Sequence, residues 1–349
     1  MLAFLALLGI VLLWFLLPLL PALRELRAPS DLAPLKVVDR SSGQVAYFAR
    51  NFRQYLEKNL PAEAGVGDYA GKLLDGTAFI RVNHRVDALA PAPATGGESR
   101  VVILDTPQTL PEAGLFRMEL YARAALAGAP GSVFRAVFAE QELSLGERSQ
   151  VLRWTHSSGP VSIGAHSVLR GRLSSDVAVA LGGDVTFERV GAPVISAGAP
   201  RDPPPSPPAD PPLYRLPEAR ARPLGDGVRV EGDLEIPEGV LLTQTLVVAG
   251  RVRIGLGTIV RGSIKAHGDL EVGDEAQVLG SVVSRGRVWL GQAAWVGGPA
   301  IAETAIRLGK GAVVGSPEQE ATVAAPEVEL SGGATVYGQI SAMRSGRTF

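Results

Sequence analysis

Few side chains in this sequence are able to do chemistry. The four histidines, His84, His156, His166 and His267, stand at unrelated positions without an acidic or cysteine partner at metal-ligand spacing, so no metal site is expected. Cysteine is absent, which fits a reducing compartment and removes thiolate chemistry. Asp233, Asp269 and Asp274 are too sparse for the clustered carboxylates of a glycoside-cleaving surface, and the first two occupy a turn position. No glycine-rich phosphate loop occurs, so neither a nucleotide nor another cofactor is expected. Lys plus Arg number 34 against 35 Asp plus Glu, a net charge of −1, and no global field favours nucleic acid. The sharpest catalytic candidate is a histidine beside a corner, His156 or His166, as the base of an acyl transfer. His166 lies just past a corner glycine in SIGAHSVLRG, with no obvious oxyanion donor nearby.

What must position these residues is a repeat. From Asp233 to Thr304 the chain divides into four lines of eighteen residues: DLEIPEGVLLTQTLVVAG, RVRIGLGTIVRGSIKAHG, DLEVGDEAQVLGSVVSRG and RVWLGQAAWVGGPAIAET. The same columns stay apolar: Leu234, Val252, Leu270 and Val288; Ile236, Ile254, Val272 and Leu290; Leu242, Val260, Val278 and Val296. A fixed period means that each repeat buries its apolar face only against its neighbours. Within a line the columns come in pairs two apart, the alternation of a strand, and the pairs are six apart. Each line is therefore one three-sided coil, and equivalent columns stack about 4.8 Å apart. The spacing predicts a mainly β fold, a parallel β-helix solenoid with 18-residue coils. Gly255, Gly273 and Gly291 follow one column, where the chain turns with positive φ or has no room for a Cβ.

The register begins earlier, with lines at Ala124, Glu142, Pro160 and Ala178 in which Val133, Val151, Leu169 and Phe187 share a column. A first block is thus expected over 124–195. Proline density over 196–224 excludes a sheet interior and leaves a spacer or a docking peptide. Val228 and Val230 re-enter the register, so the second block, 225–342, continues one long interrupted coil. Four extra residues are expected around SPEQEATVAAP, and 343–349 reads as a short tail.

Met1 to Leu23 carries no charged side chain and, at about 1.5 Å per residue, is long enough to cross a bilayer core. One transmembrane helix over 1–23 is expected, with a cleaved signal peptide as the alternative. Arg24, Arg27, Lys36, Arg40 and Arg50 follow the span, which places the N-terminus outside and the bulk of the chain in the cytoplasm. Residues 24–123 read as a small α+β juxtamembrane region that begins with an amphipathic helix over 42–60. Ser41 or Ser42 would cap it, and Val45, Phe48, Phe52, Tyr55, Leu56 and Leu60 share one face. That face rests either on a membrane surface or on the strands that follow, and the region would suit a cap over the coil's first end. Trp154, Trp289 and Trp295 occupy odd columns and should point outward, as contact anchors or beneath the N-terminal region.

The run VGDEAQVLGSVVSRGRVWLG, with its glycine-marked strands and Val-x-Gly-x-Val spacing, resembles the core of the bactofilins, polymer-forming bacterial cytoskeletal proteins. The resemblance is clearest over 233–342. It implies a right-handed β-helix that assembles end to end, without nucleotide, at the inner face of the membrane and organises cell-wall synthesis or remodelling proteins and cell shape. The membrane span, the region at 36–123 and the proline-rich excursion depart from that pattern. The expectation is a membrane-anchored homopolymeric scaffold with Val328, Leu330, Val336 and Ile340 of the terminal coil as its polymer contact. A hexapeptide-repeat-like acyltransferase and a monomeric, partner-binding envelope assembly factor are the alternatives.

Overall fold

The computed structural model describes residues 46–62, 64–65, 67–84, 89–90, 94, 96–204 and 211–349. The expected span at 1–23 and the residues Ser41, Ser42 and Val45 lie outside them. The described chain is a β-solenoid of about 14 coils. Each apolar column becomes a ladder of paired residues. Leu234, Val252, Leu270, Val288, Ile306 and Val328 pair in series, and all are buried. Of the two reasons for the corner glycines, lack of space applies: a Cβ on Gly255, Gly273 or Gly291 would come within 2.4–2.6 Å of the coil below.

The stack starts earlier than the repeat alone indicates. Ala78–Val82 runs parallel to Val101–Leu104, which pairs with Leu115–Ala122 and then Val133–Ala139. The strands at 78–122 are thus the first coils themselves, and Phe116 stacks on Phe134 with centroids 5.1 Å apart. One register is corrected. Phe134, not Val133, pairs with Val151, because that coil is one residue shorter. Val133 lies opposite Gln150 instead and is half-exposed.

The two blocks are not one continued coil. The last coil of the first stack, Thr186–Ala197, pairs antiparallel with the last strand of the chain, Thr335–Thr348. The register joins Ile195 to Val336, Val190 to Ile340 and Phe187 to Gly346, closing all three sides of the solenoid. Residues 343–348 are therefore strand, paired with Ala321–Leu330 on one side and the first stack on the other, and not a tail. Gly346 is required there, since a Cβ would lie 2.1 Å from the Phe187 ring. Backbone bonds from Thr348 N to Val185 O and from Ala197 N to Ala334 O, both 3.0 Å, tie the ends of this seam.

The antiparallel seam explains the proline-rich excursion. The chain leaves the first stack at the seam, where Arg201 N donates to Thr335 Oγ1 at 2.8 Å, and must restart at the far end of the second. It arrives at Leu213, bridged to Leu241 in the first coil of that stack. Five coil spacings of about 4.8 Å are covered by twelve residues that, extended, reach about 37 Å. Each outer end carries a local cap on one side of its coil. Tyr69–Lys72 pairs antiparallel with Ala78–Val82 at one, and Ala221–Leu224 pairs antiparallel with Gly227–Val230 at the other, where Tyr214 and Leu216 pack on the core.

Helix α1 (Tyr47–Asn59) lies along the outside of the first stack. Arg53 and Glu57 pair one turn apart at 3.0 Å, Lys58 sits in the last turn, and Leu60–Pro61 ends the helix. Ala46, before it, makes no side-chain cap bond. Its thirteen residues span about 20 Å, the height of four coil spacings. Ala49 and Leu56 bury against Ile103, Tyr121, Phe138 and Trp154 in a second core, so the helix packs on the strands.

The seam predicts a coupling across the chain. Gly346→Val should destabilise by about 1–3 kcal/mol through overpacking. Urea unfolding of Gly346→Val, Phe187→Ala and the double variant should show that Phe187→Ala relieves much of that cost. Additive effects would mean that the two residues do not meet.

Candidate functional site

Three elements converge at the seam: the start of α1, the last coils of the first stack and the last coil of the second. Between them lies a cleft of about 290 Å³ lined by Arg50, Ser174, Asp176, Glu320 and Gln339 among others. His156 is buried beneath it, one coil below Ser174 in the same outward column as Phe138. Its Nδ1 lies 2.9 Å from Ser174 Oγ and its Nε2 3.8 Å from Asp176 Oδ2. The Phe138 ring lies against it at 5.3 Å, tilted by 39°. Burial lowers the His156 pKa, nearby Arg50 adds to that, and Asp176 works against it.

The residue types are those of a hydroxyl, a base and a carboxylate, but the arrangement lacks an electrophile's partner. Asp176 N, which borders the group, donates to Ser157 O at 3.0 Å and is not free to hold an oxyanion. The cluster ties adjacent coils together and places a titratable group beneath α1. His166 takes no part in it. It occupies a corner ladder with Ala113, Gly131, Arg148 and Asp184, all at φ between 51° and 71°, and its Nδ1 faces Asp184 at 3.4 Å. His84 is exposed beside Asn83, and His267 is half-buried at a corner. Among the described residues no group of three or more His, Cys, Asp or Glu is placed to hold a metal ion.

The second stack carries a banded outer face. Down one column run Glu235, Arg253, Glu271, Trp289, Arg307, Glu329 and Arg347. Beside it Asp233 and Arg251 pair at 3.0 Å, and Arg253–Glu271 and Arg307–Glu329 pair at 2.9 and 3.6 Å. The Asp233 carboxyl is held below the usual range by the backbone N–H and guanidinium of Arg251. Arg347 reaches Asp184 across the seam at 3.3 Å. Opposite charges on successive coils favour this stacking register, at about 0.2–1 kcal/mol for each exposed pair. The signal is legible in the lines DLEI, RVRI, DLEV, RVWL, AIRL and EVEL.

The outward aromatics have different surroundings. Trp154 is 8% exposed, covered by α1 with the Phe52 ring 5.7 Å away. Trp289 is half-buried with the Arg287 guanidinium 5.8 Å from its ring, and Trp295 donates from Nε1 to Gly315 O at 3.0 Å. Val328 and Leu330, expected at an open end, lie in the penultimate coil, paired on both sides, and Val336 and Ile340 lie in the seam itself. They are interior contacts of the chain because the antiparallel partner strand occupies the surface they would have offered. Among the described residues no helix is long and apolar enough to cross a membrane. Compared with family models, curated proteins and solved structures, the chain matches none.

His156 gives this site a pH signature. Its folded pKa lies below its unfolded value of 6.5, so the unfolded chain takes up a proton first as pH falls. Stability contributed by the neutral imidazole is thus present above pH 6.5 and declines from there towards the folded pKa. Urea midpoints measured on either side of pH 6.5 should show this decline, and His156→Gln should flatten it. An unchanged slope in the variant would assign the decline to other groups.

Proposed function

We propose that the protein is a non-enzymatic, membrane-anchored scaffold of bactofilin-like type, held at the cytoplasmic face of a bacterial inner membrane by its first 23 residues. Its rod presents long, regular faces to proteins of the cell envelope or of cell-shape control. The observation that carries this reading is the seam. Two solenoid stacks join end to end through three paired sides, the contact by which such rods would assemble, and here one chain makes it with itself. The uncharged N-terminal stretch supports the anchoring, and the orientation follows from the arginines after it. A local antiparallel strand covers one side of the end coil at each outer end, so we take one rod as the unit of the scaffold, with end-to-end growth requiring those caps to move.

Negative-stain microscopy of the full chain in detergent, without nucleotide, tests this. Single rods about 65 Å long are expected, from about 14 coils at 4.8 Å. Filaments from the intact chain would overturn the closed-rod reading and favour open, self-assembling ends. Compact trimers that bind an acyl donor would favour the acyltransferase.

A further inference from the structure

We propose that one corner of the first stack is a docking surface for an anionic lipid bilayer, so that the rod lies along the membrane plane. It rests on the anchored-scaffold reading only in supposing that a bilayer is close by. Successive coils turn this corner, between the ladders Phe116–Phe134–Val151–Leu169 and Glu119–Ala136–Trp154–Arg172, with Arg117, Arg135, Leu152–Arg153 and Arg170. Coils about 4.8 Å apart make these a ridge parallel to the rod. Arg189 extends the adjoining column beyond Arg172.

The ridge is basic and little neutralised. Arg117, Arg153, Arg170 and Arg189 are exposed and make no ion pair among the described residues. Of the acids nearby, Glu119 is engaged by Arg135 at 3.0 Å, Glu188 accepts the Gly171 N–H at 3.1 Å, and Glu98, bridged to Phe116, is buried against Arg100 at 2.7 Å. Beyond that last pair, six arginines face two glutamates in a chain of net charge −1. Apolar groups protrude beside them: Leu152 is 47%, Phe48 45% and Tyr47 56% exposed, with the Arg172 guanidinium 5.1 Å from the Phe48 ring. Arginines with short apolar protrusions match the charged headgroups and acyl boundary of an anionic surface.

The position of the remaining chain points the same way. Residues 1–45 join the structure at Ala46, next to Tyr47 and Phe48, and bring an uncharged 23-residue stretch followed by Arg24, Arg27, Lys36 and Arg40. A bilayer that holds that stretch is within reach of the ridge. A linear ridge suits a planar charged surface better than a shaped protein partner.

The chain has no cysteine, so single labels can be placed. Full-length Leu152→Cys carrying an environment-sensitive fluorophore is reconstituted into vesicles of phosphatidylcholine alone or with phosphatidylserine, beside Val177→Cys, which is 48% exposed on another corner. The Leu152 label should shift to the blue and be quenched by a lipid-borne quencher only where phosphatidylserine is present, and high salt should reverse both effects. Each of Arg117→Gln, Arg153→Gln and Arg170→Gln should weaken docking about fivefold. Equal emission in both lipids, or an equal response at Val177, overturns the proposal. Flotation with phosphatidylcholine alone reports the anchor separately. A chain that floats there but shows no Leu152 response keeps the anchor and loses the docking surface. One that floats only with phosphatidylserine, and is released by salt, keeps the docking surface and loses the anchor.

Discussion

A parallel solenoid cannot finish itself. Each coil pairs its backbone groups with the coil below and leaves the same groups open above, together with an apolar interior. In this protein the rest of the architecture follows from how those openings are closed. Two stacks place their final coils against one another in an antiparallel seam, which leaves the two starting coils as the outer ends. One side of each outer end is covered by a local antiparallel strand. The proline-rich excursion is the length of chain needed to bring the second stack to the seam from the far side. Proline-rich sequence suits such a connection, because proline favours extended backbone and has no N–H to donate.

Much of the coil was legible in the sequence because a solenoid writes its period directly. The columns headed by Leu234, Ile236 and Leu242 are ladders of the interior, and the four extra residues near Ser316 appear as the longer step from Val314 to Val336. The errors share a cause. Periodicity reports the spacing within a stack and not the direction in which two stacks meet. Val228 and Val230 do fall in register, yet they start a separate stack. Val336 and Ile340 carry the residue types of an end coil, and it is their partner, Thr186–Ala197, that the pattern does not reveal. A period of eighteen also hides a coil of seventeen, which is why Phe134 displaces Val133. The seventh residue from the C-terminus onward reads as tail because glycine, arginine and serine there have no apolar alternation, although Gly346 is what lets Phe187 cross the seam.

The site was less legible than the fold for the same reason. Ser174 and Asp176 stand far along the chain from His156, and only the coil spacing brings the three together. Trp154 is outward by column, as expected, but α1 turns that outward face into a second core. One helix thereby links the point where the N-terminal segment joins the rod, the buried histidine and the seam. A load transmitted through the N-terminal segment would reach the rod near its middle, where the two stacks meet.

The architecture depends on the seam lying within one chain, and the absence of native cysteines makes that directly measurable. Ser196 and Thr335 oppose each other across the seam, and antiparallel partners have Cα separations of about 4.5–5.5 Å, within the range a disulfide spans. Ser196→Cys combined with Thr335→Cys, oxidised and separated by non-reducing electrophoresis, should give a crosslinked monomer with altered mobility, at a yield independent of protein concentration. Covalent dimers whose yield rises with concentration, or no crosslink at all, would contradict an intramolecular seam.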